Sequence, residues 1–300
     1  MKSTLGLAPP RRGVALALMI AAPVLWSTAG VVTRHIERAT AFEQVFWRSL
    51  FACIFVAGTV LFSSREGPLR AVRGAGWPGA LSAAMWAVMF TAFVLALSLT
   101  STANTLVVMS VSPLATALFA LFFLSEPVPF RTWVAAAVAA AGIAWMFGFS
   151  VRSPEDVAGM LVALLVPLAA AANVITLRAV AARLDLVPAV MMGAALSSLI
   201  ALPLALPLQA SARDVGLLAF LGFFQLGLPC ILMVLASRRL LAPEIALLGL
   251  LEVILGPLWA WLGAGEVPAG ATLAGGAIVI GALAGNELAA LRERSALAAR

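Results

Sequence analysis

Long apolar stretches alternate with short polar segments along the whole chain. Each stretch is close to the 20 or so residues that an α-helix needs to cross the hydrocarbon core of a bilayer. The stretches are too long and too uniformly apolar for alternating barrel strands, so the pattern predicts helices. Dividing the chain at charges and at Gly and Pro clusters predicts ten of them, at 13–33, 42–62, 77–98, 102–124, 131–149, 157–178, 187–207, 214–236, 243–263 and 270–290.

The amino-acid composition distinguishes a membrane protein from a soluble one. The 300 residues are 63% hydrophobic and 11% charged, whereas soluble domains carry roughly 25% charged residues. Cys53 and Cys230 lie inside apolar stretches without CxxC spacing, which indicates packing residues and no disulfide. Lys2, Arg11 and Arg12 precede the first stretch as in a secretory leader, but its length and the lack of a small-residue cleavage site favour a retained span. The sequence therefore predicts a membrane protein.

Basic residues are distributed unequally between alternate connections. One set of connections, together with both tails, carries 14 Lys and Arg, the other set carries 4, and Arg48 falls within a stretch. The positive-inside rule then predicts both termini in the cytoplasm and an even number of spans, in a bacterial-type inner membrane. Contact with the anionic leaflet accounts for the net charge of +6 without a nucleic-acid partner.

The chain aligns with itself at a shift of 140 residues. Residues 94–128 lie on 234–268 without a gap, and Glu126 meets Glu266. Both acids stand at predicted helix ends just before a proline, so we expect each to be a structural cap or turn. The alignment indicates an internal repeat.

A second alignment extends this repeat. At a shift of 144, residues 23–34 lie on 167–178, so that proline meets proline and arginine meets arginine. The unit contains five predicted helices, and since five is odd the second copy must enter the membrane inverted. We therefore predict one membrane domain built from residues 1–150 and 151–300, with a cavity between the two halves.

Short motifs at equivalent positions resemble a known family. "FFLSEPV" and "LGAGEVP" each precede a Gly- and Ala-rich last helix, "AAAVAAAGIAWMFG" and "LAGGAIVIGALAG". This arrangement resembles the EamA-type members of the drug/metabolite transporter superfamily, over nearly the whole chain. In "LLEV", Val253 stands where the family commonly has Pro, and in "VSP" Ser112 replaces the acid. A looser similarity, to the branch that exports aromatic amino acids, implies export of such compounds.

Two charged residues lie within predicted spans. Glu252 is near the middle of its span, where an ionised carboxylate costs several kcal/mol unless it is paired or faces water. It either binds a substrate ammonium or a proton, or is protonated and holds helices together by a hydrogen bond. Arg48 has Gln44 and Glu43 about one turn away. It is either an interface anchor or a group that meets a substrate carboxylate.

Uncharged polar and aromatic side chains form a second set of candidates. Polar groups in mid-span often join membrane helices, and Trp86 and Phe90 share one helix face, which is more often a packing or lipid-facing surface. The alternative is that they line a cavity for bulky flat substrates. The substrate-binding candidates beyond the two charges are Gln44, Trp26, Trp86, Phe90, Ser110, Asn173 and Gln225.

Prolines interrupt several predicted spans. Each removes a backbone hydrogen bond and permits a bend. In a carrier with two alternating states such bends are natural hinges, and static kinks are the equal alternative. The candidate hinges are Pro23, Pro113, Pro167 and Pro257.

These features together favour a secondary transporter that exports large apolar or aromatic amino acids by alternating access. An exporter of cationic drugs is the alternative. An enzyme is disfavoured because mid-span His or Asp, HExxH and nucleotide-binding motifs are absent, and a channel because charge rings and a filter signature are absent. We expect no metal or cofactor, and a monomer should suffice. The exact substrate and proton coupling stay open.

Overall fold

The computed structural model describes residues 11–63, 67–124, 129–150, 153–180, 184, 186–240 and 242–298. All regular secondary structure in these ranges is helical. The α-helices are α1 (Arg12–Trp26), α2 (Thr28–Thr33), α3 (Ala41–Ser63), α4 (Gly67–Leu99), α5 (Thr102–Met109), α6 (Ser112–Leu124), α7 (Phe130–Ser150), α8 (Pro154–Val180), α9 (Val187–Ala205), α10 (Ala212–Phe220), α11 (Leu228–Ala236), α12 (Ala242–Ala264) and α13 (Gly270–Ala298); a π-helix (Leu221–Gly227) joins α10 to α11.

Seven helical stretches in the described ranges are long and apolar enough to cross a membrane. They are Arg12–Thr33, Ala41–Phe62, Leu69–Leu99, Thr102–Phe123, Pro154–Leu177, Val187–Ala205 and Ala212–Ala236, and two shorter apolar helices, Leu251–Ala264 and Gly270–Asn286, follow. Apolar side chains cover much of their outer surface: Leu61, Leu199 and Leu262, for example, are more than half exposed. Such a surface suits contact with lipid, and the prediction of an all-helical membrane protein is confirmed.

Two helical stretches are interrupted where hydroxyl and proline side chains disturb the backbone. Between α1 and α2, the Ser27 hydroxyl donates to the carbonyl of Val24, 2.7 Å away. Between α5 and α6, the Ser110 hydroxyl donates to Val107, and Pro113 has no N–H for the carbonyl four residues earlier. Hydroxyls that bond nearby carbonyls compete with helical pairing. Both interruptions therefore follow from local sequence.

α4 contains a sharp kink at Gly76. Its φ of +56° and ψ of −157° lie in a region that is accessible to glycine and strained for other residues. Pro78 follows two residues later and reinforces the change of direction. The predicted helix at 77–98 therefore begins directly after the kink, and the residues before it form a separate helical arm.

Contacts between the first and second parts of the chain hold the bundle together. α3 packs against α9 and the π-helix, and α4 packs against α8 and α9. α1 packs against α11 and α12, α5 against α12, α6 against α8, and α7 against α13. The largest apolar core clusters therefore combine residues from both parts, as Trp86 and Phe90 do with Val190 and Cys230.

Candidate functional site

A buried guanidinium lies at the centre of the candidate site. Arg48 is on α3 and only 2% exposed. Its Nη1 donates to Oε1 of Gln225 at 3.2 Å, and its Nη2 donates to the carbonyl oxygen of Phe90 at 2.8 Å. Its Cζ also lies 5.5 Å from the centroid of the Phe93 ring, within range of cation–π attraction. All of these partners are uncharged, so no acid in the described part of the chain neutralises Arg48 by direct contact.

Gln225 reaches Arg48 because the helix around it is wound as a π-helix. The Leu228 N–H donates to the carbonyl of Phe223, five residues earlier. Pro229 has no N–H for the carbonyl of Gln225, so ordinary α-helical pairing fails at this point. The Gln225 Nε2 donates to the carbonyl of Trp26 at 3.3 Å. One side chain therefore joins α1, α3 and the π-helix, and π-helical turns are frequent at functional sites.

Close contact between α3 and the π-helix depends on a glycine. A Cβ added at Gly222 would lie 2.7 Å from the carbonyl oxygen of Arg48 and 2.5 Å from the Cβ of Phe51. Only glycine fits at that distance, and its position brings Gln225, three residues later, to the level of Arg48. Gly222 therefore sets the geometry of the site.

Glu252 places a carboxyl group near this centre. The carboxylate, on α12, interacts electrostatically with Arg48 and with Cys230. Glu252 is half-buried, and within the described part of the chain no hydrogen bond to its carboxylate is found. Of the two interpretations of Glu252, a hydrogen bond that links helices therefore finds no partner among the described residues.

An aromatic wall adjoins Arg48. The rings of Trp86 and Phe90 lie one turn apart on α4, with centroids 5.3 Å apart and an angle of 33° between their planes. Both residues are buried. Gly193 of α9 leaves room for Trp86, since a Cβ there would lie 2.5 Å from the Cβ of Trp86. Phe90 therefore has two roles: its carbonyl oxygen accepts a hydrogen bond from Arg48, and its ring packs beside Trp86 in the aromatic wall.

Other predicted site residues lie apart from these contacts. Gln44 donates to the carbonyl of Ala39, while Glu43 accepts backbone N–H groups of Gln209 and Ala210. The partners of Arg48 thus come from across the bundle, because its side chain turns toward α4 and the π-helix rather than along α3.

Two further candidates make hydrogen bonds of their own. Asn173 is 2% exposed, and its Oδ1 accepts a hydrogen bond from Ser82 at 2.6 Å, across the α4–α8 contact. Ser110 bonds the backbone of its own helix. Among the predicted hinges, Pro23 and Pro113 adjoin helix interruptions, whereas Pro167 and Pro257 lie inside the continuous helices α8 and α12.

A second polar cluster joins three segments of the chain at one end of the bundle. We call it the Arg34 network: Arg34, Thr100, Thr102 and Glu266. The Arg34 Nε donates to Glu266 at 2.8 Å, and its Nη2 donates to the carbonyl of Thr100. The Glu266 carboxylate also accepts from the backbone N–H and the hydroxyl of Thr102. Glu266 therefore caps the N-terminus of α5 from the link between α12 and α13. Glu126 lies outside the described residues.

Three residues near the site were not among the candidates identified from the sequence: Gly222, Gly227 and Cys230. Gly222 and Gly227 flank Gln225 and precede Pro229, a pattern that signals an interrupted helix. Cys230 lies near Arg48, Glu252 and Trp26, but nothing in its local sequence distinguishes it from a packing residue. Among the described residues, no group of three or more His, Cys, Asp or Glu could hold a metal ion.

Comparisons with known proteins agree with this architecture. The sequence pattern of the EamA-like transporter family matches residues 13–148. The pseudopaline exporter CntI of Pseudomonas aeruginosa, from strains UCBPP-PA14 and PAO1, is 28% identical over 253 residues, which is 80% of this chain and 84% of the exporter. A solved protein crystal structure aligns with 91% of this chain and 98% of its own, with a TM-score of 0.68 and 21% identity. That likeness shows a shared fold.

Proposed function

Because this multi-pass membrane protein belongs to the EamA-like transporter family and is a transporter rather than an enzyme, we propose that it exports large apolar or aromatic amino acids by alternating access. One observation carries the proposal: the buried guanidinium of Arg48 has only uncharged hydrogen-bonded partners among the described residues, and the half-buried Glu252 lies near enough to interact with it electrostatically. A zwitterion complements such a pair, because its carboxylate suits Arg48 and its ammonium suits Glu252.

The aromatic wall supports a large apolar side chain on the substrate. Trp86 and Phe90 lie beside the guanidinium, and the apolar residues Leu226 and Ile231 belong to the same cluster. Binding sites for small molecules are mostly apolar, with a few polar groups that fix orientation. A compound with a charged head and an aromatic body matches this division.

The packing of the helices supports two inverted five-helix repeats, residues 1–150 and 151–300. Each of the first five predicted helices has a counterpart five places later in the order of predicted helices. When every helix is replaced by its counterpart, the α4–α8 contact corresponds to the α1–α11 contact, and the α6–α8 contact corresponds to α1–α12. In the same way, the α4–α9 contact corresponds to the contact between α3 and the π-helix. The contacts α3–α9, α5–α12 and α7–α13 each join a helix to its own counterpart. This exchange symmetry is expected of repeats that rock against each other around a shared site.

The membrane placement follows from the distribution of basic residues. We propose a bacterial-type inner membrane with both termini in the cytoplasm, because the 14 to 4 distribution of Lys and Arg favours that orientation. The Arg34 network then lies at the outer end. We also propose that a monomer is sufficient and that its partners are the lipid bilayer and a small-molecule substrate.

A second substrate class rests on the relatives. CntI is named a pseudopaline exporter and matches 80% of this chain, so a pseudopaline-like metabolite is the second candidate. Cationic drugs fit less well, because the buried charge of Arg48 repels a cation that enters the centre.

Counterflow in proteoliposomes tests the proposal. Vesicles are loaded with unlabelled phenylalanine, leucine, glutamate, pseudopaline or a quaternary ammonium, and labelled phenylalanine is added outside. We expect uptake with the apolar amino acids and its loss in Glu252→Gln, whereas Glu37→Gln, at an exposed pair with Arg213, should behave as wild type. Uptake only with pseudopaline would support the second candidate, and no counterflow with any amino acid would contradict the first.

A further inference from the structure

Two buried hydrogen-bond donors near the centre of the site have no acceptor. In the described part of the chain, the Nε of Arg48 and the Nε1 of Trp86 make no hydrogen bond, although both residues are only 2% exposed. A buried donor without a partner costs about 1–3 kcal/mol, and more when it is charged. Buried tryptophan N–H groups usually find a partner. Two such costs in one region of the fold call for a functional explanation.

The two donors are connected through Phe90. The Nη2 of Arg48 is held at the carbonyl of Phe90, and the Phe90 ring packs against Trp86, one helical turn earlier on α4. A turn of helix rises about 5.4 Å. A ligand that reaches both donors must therefore lie along this face of α4 and extend over about one helical turn. Gln225 and Phe90 already accept hydrogen bonds from Nη1 and Nη2 of Arg48, so Nε is the guanidinium nitrogen that has no acceptor among the described residues.

The missing partner must be a hydrogen-bond acceptor and is best an anion. Both unpaired groups are N–H donors, and one carries a full positive charge. A carboxylate accepts several hydrogen bonds and donates none when ionised, and its hydrogen bonds to guanidinium are about twice as strong as those between neutral groups. A cation or a hydrocarbon leaves both donors unsatisfied.

We propose that Arg48 and Trp86 form a carboxylate-binding subsite, in which the Nε of Arg48 and the indole N–H of Trp86 donate to the substrate carboxylate. This inference rests on the proposed function and names the group that the carrier selects. The ammonium of the substrate then points to Glu252, and its side chain lies along Phe90. Trp86 is thus a specificity-determining residue through its N–H and not only through its ring.

Trp86→Phe tests the subsite, since it removes the N–H and keeps an aromatic ring beside Phe90. We expect a roughly tenfold higher KM for phenylalanine counterflow, equivalent to about 1.4 kcal/mol, with an unchanged maximal rate. Inhibition by 3-phenylpropionate, which has the carboxylate without the ammonium, should weaken to the same extent. Inhibition by phenethylamine, which lacks the carboxylate, should be equally weak in both proteins. Trp77→Phe, on the same helix and exposed, is the matched control and should leave every value unchanged.

The outcomes separate this inference from the proposed function. Phenylalanine counterflow in wild type with an unaltered KM in Trp86→Phe overturns the subsite and leaves the proposed function intact. An equal change for all three compounds also overturns it, because a general distortion of the site would produce that result. No phenylalanine counterflow in the wild type overturns the proposed function and the subsite with it. Elution of the variant at the wild-type volume in gel filtration shows that it folds.

Discussion

Removing the charge of Glu266 should open the end of the bundle that carries the Arg34 network. The carboxylate accepts hydrogen bonds from the Arg34 Nε at 2.8 Å and from the Thr102 hydroxyl at 3.0 Å, as well as from the Thr102 N–H. In Glu266→Gln these bonds change from charge-assisted to neutral or are lost, a difference of about 1 kcal/mol each. The Arg34 side chain is 32% exposed, so solvent screening reduces the contribution of the Arg34–Glu266 bond to this free-energy difference. The closed state then loses about 2 kcal/mol, and the open population rises roughly 30-fold.

Labelling of a buried cysteine measures this opening. Thr105 is fully buried on α5, one turn deeper than Thr102, and Thr105→Cys is made in a background in which Cys53 and Cys230 are alanine. When opening is fast compared with labelling, the rate of reaction with a water-soluble maleimide follows the open population. We expect Glu266→Gln to raise that rate roughly 30-fold.

The matched control is a second glutamate at the same end of the bundle. Glu37 pairs with Arg213, and both side chains are more than half exposed. Exposed ion pairs contribute little, about 0–1 kcal/mol, so Glu37→Gln should change the labelling rate by no more than a few-fold. Equal labelling rates in Glu266→Gln and in the parent would refute the idea that the Arg34 network holds this end closed.

Two further predictions concern the centre of the site. Gly222→Ala places a Cβ 2.5 Å from the Cβ of Phe51, so we expect it to destabilise the folded protein by about 1–3 kcal/mol and to lower its thermal unfolding midpoint. The control Gly216→Ala, at a position with open space around it, should not lower the midpoint. Equal midpoints for the two variants would contradict the packing argument. Phenylalanine should slow modification of Cys230 by a small thiol reagent without affecting Cys53, and equal rates with and without phenylalanine would place Cys230 outside the substrate site.

The sequence predicted the helices well because apolar length is a local property. The predicted range 42–62 matches α3 (Ala41–Ser63), and 187–207 matches α9 (Val187–Ala205). The π-helix was not predicted, because its backbone pairing depends on the close approach of Gly222 to α3 as well as on Pro229. Pattern reasoning detects the proline and glycines but not the helix that packs against them.

The sequence indicated which residues are candidates for the site, but it did not indicate which of them contact each other. Arg48, Gln225 and Glu252 were each singled out as polar groups in apolar surroundings, which is a local signal. Gln225 is 177 residues from Arg48, and a single sequence contains no sign of such a pairing. Glu266 was expected to be a cap or turn, but the helix it caps, α5, begins 164 residues earlier. Long-range pairing is therefore what the structure adds.

Equilibrium binding of labelled phenylalanine to the purified protein, by scintillation proximity, tests the central claim most directly. The wild type and Arg213→Gln, a control at an exposed position, should show the same saturable binding. Arg48→Gln should bind at least tenfold more weakly while eluting at the wild-type volume in gel filtration, because it removes the charge that the substrate carboxylate meets. Equal affinity in Arg48→Gln, or no saturable binding in the wild type, would contradict an amino-acid site centred on Arg48.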